Sequence, residues 1–408
     1  MTPSIETVLA TWAKHCKAKA NLPVLLRVGA EGAGHGMQWP LGDFDRPKVE
    51  IVLKQAGAVP LLVSPSLDSL GEAYVEGKID VKGKVSDMLE VAHRMAEAGV
   101  GLQGRLARAV QSLRHSKKGD RDAIQYHYDL SNEFYQTWLD PAMVYSCAYF
   151  ENGDETLEQA QQKKLDHILT KLRVQPGQSL LDIGCGWGAL VIRAAQKYGA
   201  RCVGVTLSRN QFELANERVR RAGLQHQVQV RLQDYRDLSG QFDCIASVGM
   251  FEHVGLKHLA AYFAKMRELL APDGWAMNHG ITSTDANDGE ASLGGGRFID
   301  RYVFPQGEVP HIGSVLKNMQ IGGLEALDVE CLRRHYARTM SCWSERFECN
   351  ADKLRAMVDE KRWRIWRIYL AGCQWAFEND EISLYQVLCR KSGRAAHEQP
   401  WSRRWMYA

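Results

Sequence analysis

The stretch Ser179–Leu190 reads SLLDIGCGWGAL, and it decides the fold. An apolar run ends at Asp182, and glycines then occupy every second position, at Gly184, Gly186 and Gly188. The residues that follow have the apolar spacing of a helix, so the stretch predicts a strand, a tight turn and a helix N-terminus. Glycines at such a turn let the backbone approach a ligand closely, and the first helical turn offers free N–H groups to a carboxylate or a phosphate.

Dinucleotide-binding sites use a glycine turn of this general type, but with a different spacing. A dinucleotide-binding fold has the spacing G-x-G-x-x-G and an acid about 20 residues further on for the ribose. Here the glycines follow G-x-G-x-G, and the second predicted strand, 201–205, leads to Thr206 instead of Asp or Glu. These differences argue against NAD. A strand–helix turn without any ligand stays as the alternative.

The bulk composition limits the class of protein. A chain of 408 residues is expected to form two domains, and its formal charge of +3 does not argue for nucleic acid. Its ten cysteines include no C-x-x-C pair, which disfavours a zinc site or a redox dithiol and fits a reducing cytoplasm. No signal peptide and no apolar run of about 20 residues is present, so we expect any membrane contact to be peripheral.

The N-terminal part of the chain predicts a small α+β domain over residues 1–100. An amphipathic helix over 5–20 either packs on its own domain or lies on a membrane surface. Short antiparallel strands are expected over 22–63 and helices over 66–98. Residues 101–121 form a basic linker without Phe, Tyr or Trp. That linker is either a solvated hinge or a patch for anionic lipid headgroups.

Residues 122–408 predict the larger domain, in which strands and helices alternate strictly. This alternation predicts an α/β fold with a doubly wound parallel sheet and ligand sites at the C-terminal ends of the strands. The tyrosine-rich stretch 126–150 predicts either an aromatic-lined pocket or ordinary packing. We expect the polar, glycine-rich insertion at about 282–310 to act as a lid over a pocket.

Five separated motifs occur in one order along this domain. They are Tyr145-Ser146-Cys147, the glycine turn, Gly204–Ser208 with Gln211, Phe251–Gly255 and His335–Thr339. Together they resemble the cyclopropane-fatty-acid-phospholipid synthases, and the mycolic acid cyclopropane synthases share the same catalytic half. The resemblance covers about residues 122–390. It implies a class I S-adenosylmethionine (SAM) methyltransferase fold, which is Rossmann-like, with the smaller N-terminal domain of the phospholipid-acting members.

The resemblance also implies a reaction. A methyl group passes from SAM to the cis double bond of a phospholipid acyl chain, and the resulting carbocation loses a proton to a bound bicarbonate ion and closes to a cyclopropane. The implied partners are unsaturated phospholipids, reached peripherally from the cytoplasmic face of the membrane, with no nucleic acid and no metal. A homodimer is left open. Two rivals remain, a methyl- or methylene-branching fatty-acyl methyltransferase and a lipid-binding protein with a vestigial SAM site.

The site residues are carried over position by position from the resemblance. The bicarbonate cradle would be Cys147, Glu252, His279, Ile281 through its backbone, and Tyr336. The SAM site would be Tyr128, Tyr145, Ser146, Asp182, Gly184, Gly186, Gly188, Thr206, Leu207, Gln211, Asp234 and Tyr235. Aromatic faces suit this chemistry because they attract a cation by about 0.5–2 kcal/mol per good contact. Glu252 acting as the base itself is the rival interpretation for proton removal.

Overall fold

The computed structural model describes residues 5–28, 37–54, 65–99, 130–286, 296–303, 308–395 and 400–407. Tyr128 and the basic linker 101–121 lie outside the described residues, as do large parts of the proposed lid. The chain forms two packed units. One contains Met1–Leu113, Glu290–Val303 and Ala351–Trp375, and the other contains Arg114–Gly289, Phe304–Asn350 and Ala376–Ala408.

Helices and strands are numbered here in chain order. The strands are β1 (Val24–Val28), β2 (Met37–Pro40), β3 (Val49–Leu53), β4 (Ile79–Lys82), β5 (Ser179–Ile183), β6 (Arg201–Thr206), β7 (Val228–Leu232), β8 (Phe242–Val248), β9 (Leu270–Ser283), β10 (Leu324–Cys331) and β11 (Ile382–Lys391). The α-helices are α1 (Ile5–Lys19), α2 (Leu67–Val75), α3 (Val85–Gly99), α4 (Asn132–Gln136), α5 (Leu157–Lys171), α6 (Ala189–Tyr198), α7 (Arg209–Arg221), α8 (Leu259–Leu269), α9 (Gly296–Tyr302), α10 (Ile312–Ile321), α11 (Arg333–Cys349), α12 (Ala351–Met357) and α13 (Glu360–Glu378). Within the described ranges, no helix is both long and apolar enough to cross a bilayer.

The first unit is built on a four-stranded sheet in the order β2-β1-β3-β4. The two outer pairings are antiparallel, but β1 and β3 pair in parallel. The expectation of antiparallel strands is therefore wrong for the central pair. The reason is that β2 returns along the outer edge of β1, so β3 approaches the other edge in the same direction as β1.

Two late segments of the chain belong to this first unit, which differs from the expected continuous boundary near residue 121. In α9 the Phe298 N–H donates to Asp68 Oδ1 at 2.9 Å. In α13 the buried guanidinium of Arg364 donates to the Tyr74 carbonyl at 2.8 Å. These buried hydrogen bonds fix segments that are distant in sequence against α2 and its surroundings.

The second unit is built on a seven-stranded sheet in the order β10-β11-β9-β8-β5-β6-β7. Strands β5 to β9 pair in parallel, as predicted. The sheet is not wholly parallel, because β11, to which the sequence pattern assigned no strand, pairs antiparallel with both β9 and β10. Its residues are buried along nearly the whole strand, so this largely apolar run forms a central strand.

Helices cover both faces of this sheet. One apolar cluster includes Leu165 and Ile168 of α5 with Val191 of α6, and another includes Phe263 of α8 with Met319 of α10. The order of strands reverses between β5 and β8, which both border the glycine turn. In such sheets the C-terminal ends of the strands at the reversal point form a crevice for a ligand.

Candidate active site

The glycine turn follows β5 and opens onto a cavity of about 430 Å³. Gly184, Gly186 and Gly188 all have positive φ, at 81°, 52° and 81°. A Cβ added to Gly186 would meet no atom within 4 Å, so its backbone faces open space in the cavity wall. The turn therefore needs glycine for its conformation, and Gly186 leaves the backbone accessible to a ligand.

Most of the residues predicted for SAM line this glycine-loop cavity. They are Tyr145, Ser146, Asp182, Gly184, Gly186, Thr206, Leu207, Gln211, Asp234 and Tyr235. Gly188 lies behind the wall as the N-cap of α6. Tyr128 falls outside the described residues, so its place in the site stays a prediction.

Asp182 is the acidic group nearest the glycine turn in sequence, and it lies at the end of β5 in the cavity wall. Its carboxylate is buried, and Oδ1 has no hydrogen-bond partner within the part of the chain that the structure describes. Burial raises the pKa of Asp182 to about 7. An unpartnered carboxylate oxygen in a cavity wall suits a cationic ligand group such as an ammonium.

Other polar groups of the cavity wall are held by hydrogen bonds and an ion pair among neighbouring residues. Thr206 Oγ1 donates to Gln211 Oε1 at 2.7 Å, and Thr206 Oγ1 accepts from the Ser208 N–H. Asp234 and Arg236 form an ion pair at 2.7 Å. These contacts fix the polar groups before any ligand binds.

Aromatic rings pack around Tyr145. Its ring lies 5.9 Å from Tyr135, 5.6 Å from Trp138 and 5.3 Å from Trp343, between ring centroids. The tyrosine-rich stretch thus contributes both to the cavity wall, through Tyr145, and to ordinary packing, through the fully buried Tyr135.

Sequence reasoning missed Lys164, which lines the same cavity from α5. The lysine is buried, and its Nζ donates to Ser146 Oγ at 2.8 Å. The signal was present in the sequence, because Lys164 occupies the apolar face of the helix with Leu157, Ala160, Leu165 and Ile168. A lysine at a core position of an amphipathic helix is seldom fully buried without a specific partner.

The five residues predicted for bicarbonate lie on adjoining elements. Cys147 follows Tyr145 and Ser146 of the cavity wall and is fully buried. The Leu332 carbonyl accepts from Cys147 Sγ at 3.8 Å and from the Tyr336 N–H at 3.0 Å. The structure therefore brings Cys147 and Tyr336 together at the start of α11.

Glu252 and Ile281 are joined directly. Glu252 Oε1 accepts from the Ile281 N–H at 2.7 Å. Ile281 lies opposite Leu384 in the β9–β11 pair, and the Leu384 carbonyl accepts from the N–H of Leu332, the residue that contacts Cys147 and Tyr336. Cys147, Glu252, Ile281 and Tyr336 are thus connected through neighbours at one end of the sheet.

Two more buried side chains stand side by side in this region, and only one of them was predicted. His279 of β9 lies opposite Gln386 of β11. The His279 carbonyl accepts from the Gly249 N–H on the β8 side, so the pair with Gln386 is of the non-hydrogen-bonded type. In such a pair the Cα atoms are about 4.5 Å apart and the side chains lie on the same face.

The polar atoms of these side chains are buried without partners among the described residues. Both ring nitrogens of His279, both amide atoms of Gln386 and Oε2 of Glu252 have no hydrogen bond there. We call Glu252, His279 and Gln386 the His279 cluster. Unpartnered buried polar groups are rare in proteins, so several on and beside one stretch of β9 mark this region as a candidate site for a polar ligand.

Burial sets the charge of this cluster. It raises the pKa of Glu252 to about 7 and lowers the pKa of His279 well below its usual value, so that the imidazole is neutral. Burial also raises the pKa of the Cys147 thiol, which therefore stays protonated. His253, next to Glu252, lines the cavity, and burial lowers its pKa to about 4.

Comparisons with known proteins bear on this arrangement. The family model for mycolic acid cyclopropane synthetase matches residues 115–387, and that for a domain of unknown function (DUF7884) matches residues 35–101. The chain is 46% identical over 375 residues to a protein of Pseudomonas putida named probable fatty acid methyltransferase, covering 91% of this chain and 94% of that protein.

Two further relatives extend the comparison. The chain is 40% identical over 262 residues to the cyclopropane-fatty-acyl-phospholipid synthase of Escherichia coli K12, covering 64% of this chain and 66% of that protein. The solved structure of the mycolic acid cyclopropane synthase CmaA1, complexed with SAH and CTAB, is 36% identical with a TM-score of 0.64. That match covers 66% of this chain and 98% of the other.

Proposed function

Because the chain belongs to the mycolic acid cyclopropane synthetase family, we propose that it transfers a methylene group from SAM to the cis double bond of unsaturated phospholipid acyl chains and forms a cyclopropane ring. The membership confirms the resemblance seen in the five motifs. The likeness to the solved synthase confirms the predicted class I SAM-methyltransferase fold. The specific reaction goes beyond both the family and the fold, and the proposal for it depends on the residues of the site.

The glycine-loop cavity fits SAM. Asp182 offers an unpartnered carboxylate oxygen for an ammonium, and Gly186 offers open backbone. Tyr145 presents an aromatic ring beside the cavity, which suits a sulfonium. When bound, SAM supplies an electrophilic methyl group.

The single observation that carries the proposal is the His279 cluster. Its unpartnered groups include the amide of Gln386 and the neutral imidazole of His279, each with a donor and an acceptor, and the carboxylate oxygen of Glu252. A bicarbonate ion has both an O–H donor and oxygen acceptors, so it can satisfy all three at once. Gln386 therefore joins Cys147, Glu252, His279, Ile281 and Tyr336 as a proposed contact for bicarbonate.

These residues would keep the base dry and oriented. The Ile281 N–H holds Glu252 in place through Oε1, which leaves Oε2 directed to a ligand. Burial of Cys147 and His279 excludes water, which would otherwise capture a carbocation as an alcohol. Bicarbonate, if bound there, would supply a base for the proton lost after methyl transfer, and a positioned base contributes about 10²–10⁴-fold to rate.

The test uses the full-length protein with SAM and vesicles of cis-unsaturated phospholipid. We expect a lipid product that gains one CH₂ and shows the upfield proton signals of a cyclopropane ring in NMR. Turnover should fall when the buffer is stripped of carbon dioxide and recover when bicarbonate is added. A product without ring protons, or turnover indifferent to bicarbonate, contradicts the corresponding part of the proposal.

A methyl- or methylene-branching transferase is the second candidate. It is favoured by the names of two relatives, both called probable fatty acid methyltransferase, from Pseudomonas putida and Mycobacterium tuberculosis. A mass gain of one CH₂ does not separate a ring from a methylene branch, but vinyl protons in NMR identify the branch. A lipid-binding protein with a vestigial SAM site would bind vesicles and show no heat of SAM binding in calorimetry.

The membrane contact is proposed to be peripheral and cytoplasmic. The proposal is supported by the phospholipid named in the Escherichia coli relative. Helix α1 adds no support, because Leu9 and Trp12 of its apolar face are buried, as expected of a helix packed on its own domain. Sedimentation of the protein with anionic and with neutral vesicles tests it. Binding to neither kind of vesicle would remove the support for a bilayer substrate.

A further inference from the structure

Lys164 is a buried cation whose role the proposed reaction does not include. It lies in the wall of the glycine-loop cavity, and Ser146 Oγ is the hydrogen-bond acceptor of its Nζ, at 2.8 Å. Within the ranges that the structure describes, no carboxylate forms an ion pair with it. Asp140 and Asp182 act on the ammonium electrostatically without a direct ion pair, and a buried ammonium is unfavourable without specific polar partners, so packing alone does not explain this position.

The hydrogen bond between Lys164 and Ser146 has a fixed direction. An ammonium has donors and no lone pair, so Ser146 Oγ must be the acceptor. The hydroxyl hydrogen of Ser146 is then free to point elsewhere, and Ser146 lines the cavity. A hydroxyl that accepts from a cation is also a stronger donor, because hydrogen bonds in series polarise one another.

Helix α5 fixes Ser146 at two points. Gln161, one turn before Lys164, donates from Nε2 to the Ser146 carbonyl at 2.9 Å. Lys164 holds the hydroxyl at 2.8 Å. Residues three apart share one face of a helix, so α5 presents both groups to Ser146 together.

Asp182 supplies the opposite charge in the same cavity wall. Its Oδ1 has no partner among the described residues, while Ser146 offers a hydroxyl donor backed by an ammonium. One acceptor for a cation and one donor for an anion match the two charged groups of an amino acid. SAM carries such an amino acid, since its methionine part ends in an ammonium and a carboxylate.

We propose that Lys164 is a positioning residue that holds the Ser146 hydroxyl as a donor to the carboxylate of SAM, while Asp182 receives the ammonium. The proposal depends on SAM binding and is independent of the bicarbonate cluster and of the lipid substrate. Burial lowers the pKa of Lys164 to about 8, with Cys147, Asp140 and Asp182 acting in the opposite direction. The ammonium form therefore predominates at neutral pH.

The test measures binding of two ligands by calorimetry. One is the product S-adenosylhomocysteine (SAH), and the other is S-adenosyl-3-thiopropylamine, which keeps the ammonium but lacks the carboxylate. Lys164→Met is expected to weaken SAH by about 10- to 100-fold, the range for losing a hydrogen bond to a charged group. The analogue should bind the variant and the wild type within about threefold. Equal losses for both ligands, or unchanged SAH binding, overturn the proposal.

Two further variants separate positioning from a general effect on the fold. Ser146→Ala should reproduce the selective loss, and the double variant should lose little more than Ser146→Ala alone, because both residues act on one contact. Additive losses contradict an action through Ser146. Lys163→Met is the matched control, since Lys163 is the neighbouring lysine on α5 but pairs with Glu151 and Glu155 outside the cavity.

A measurement on the wild type keeps the proposal testable if Lys164→Met does not fold. The ratio of the two affinities is followed from pH 7 to pH 9, through the pKa of Lys164. Titration of Asp182 cancels in the ratio, because both ligands carry the ammonium, and the different amine pKa values of the two free ligands are measured separately and corrected for. Loss of the Lys164 charge should reduce the preference for SAH several-fold by pH 9. A ratio that stays constant overturns the proposal.

Discussion

The glycine-loop cavity and the His279 cluster lie on adjoining strand ends, yet their polar side chains are satisfied in different ways. In the cavity, Thr206 bonds to Gln211, Asp234 pairs with Arg236 and Ser146 accepts from Lys164. The exception there is Asp182 Oδ1, which has no partner among the described residues. In the His279 cluster, both ring nitrogens of His279, both amide atoms of Gln386 and one Glu252 oxygen have no partner among the described residues.

This difference has a physical consequence. A site in which most polar groups already bond to each other keeps its shape without a ligand, so it can bind SAM with little rearrangement. A cluster of unpartnered buried groups is unfavourable until a polar ligand fills it. We therefore expect substitutions in the cavity to act on SAM affinity and substitutions in the cluster to act on turnover.

Substitution of Glu252 should give the largest effect and tests the comparison most directly. Glu252→Ala should lower turnover by about 10²–10⁴-fold, the usual contribution of a positioned base, because Oε2 would no longer orient it. SAH affinity, measured by calorimetry, should change by less than about threefold.

Glu252→Gln is the control for this prediction. The glutamine oxygen still accepts from the Ile281 N–H, so the local fold is kept while the carboxylate is lost. Turnover should remain low in this variant as well. Equal losses of turnover and of SAH affinity would place Glu252 in the SAM site and remove the distinction between the two regions.

Gly186→Val should have the next largest effect, on binding instead of turnover. The residue has a φ of 52°, which a β-branched side chain rarely adopts, and its Cβ would project into the open cavity. We expect SAH binding to weaken by about 100-fold or more because the side chain blocks the close approach of the ligand to the backbone, while the backbone penalty of about 1–3 kcal/mol lowers stability.

Gly153→Val provides the comparison for strain alone. Gly153 has a φ of 89° and open space at its Cβ, and it does not line the cavity. That variant should lose stability in thermal unfolding and keep its SAH affinity. If Gly186→Val behaves in the same way, the glycine turn is a structural feature and not a ligand site.

The pH dependence of SAH binding should reveal Asp182. Burial raises the pKa of this carboxyl to about 7, so below that pH the ligand ammonium meets a neutral acid and binding must release a proton. Affinity should therefore rise by about eightfold from pH 6 to pH 7.5 for a single linked proton. In Asp182→Asn the affinity should be weaker and independent of pH in this interval. A slope that persists in the variant assigns the titration to another group.

Much of this arrangement could be predicted because its signals are local in sequence. The SLLDIGCGWGAL stretch contains the strand, the turn and the helix start together, and each of the five motifs is short. Helix α5 was also predicted closely, and Thr156 caps it with a capping box. The apolar face of this helix, however, includes Lys164. The role of Lys164 depends on its contact with Ser146, which lies in a different segment of the chain.

Contacts between distant strands could not be predicted in the same way. Gln386 lies opposite His279 only because of the register of β11 against β9. The apolar pattern of β11 does not specify that register. The parallel pairing of β1 with β3 has the same origin, since the connection through β2 decides the direction. Register and direction are set by tertiary packing, which a single sequence window does not contain.

Gln386→Leu gives the smallest expected effect, and it sharpens the comparison because Gln386 was recognised only from the structure. The variant keeps the approximate volume and removes both amide atoms that lack partners. Loss of one hydrogen bond should raise the bicarbonate concentration needed for half-maximal turnover by about 3- to 10-fold. SAH affinity should stay unchanged, because Gln386 does not line the glycine-loop cavity.

The matched control for this variant is on the same strand. Ser383 of β11 is also buried and polar, but its hydroxyl already bonds to Cys331 Sγ at 3.5 Å. Ser383→Ala should leave the bicarbonate requirement as it is in the wild type. If Gln386→Leu also leaves it unchanged while the wild type depends on bicarbonate, the amide does not contact the ion. The unfolding temperature gives a second check. If Gln386→Leu unfolds at a higher temperature than the wild type, burial of the unpartnered amide destabilises the wild type, because an apolar side chain of similar shape has no such penalty.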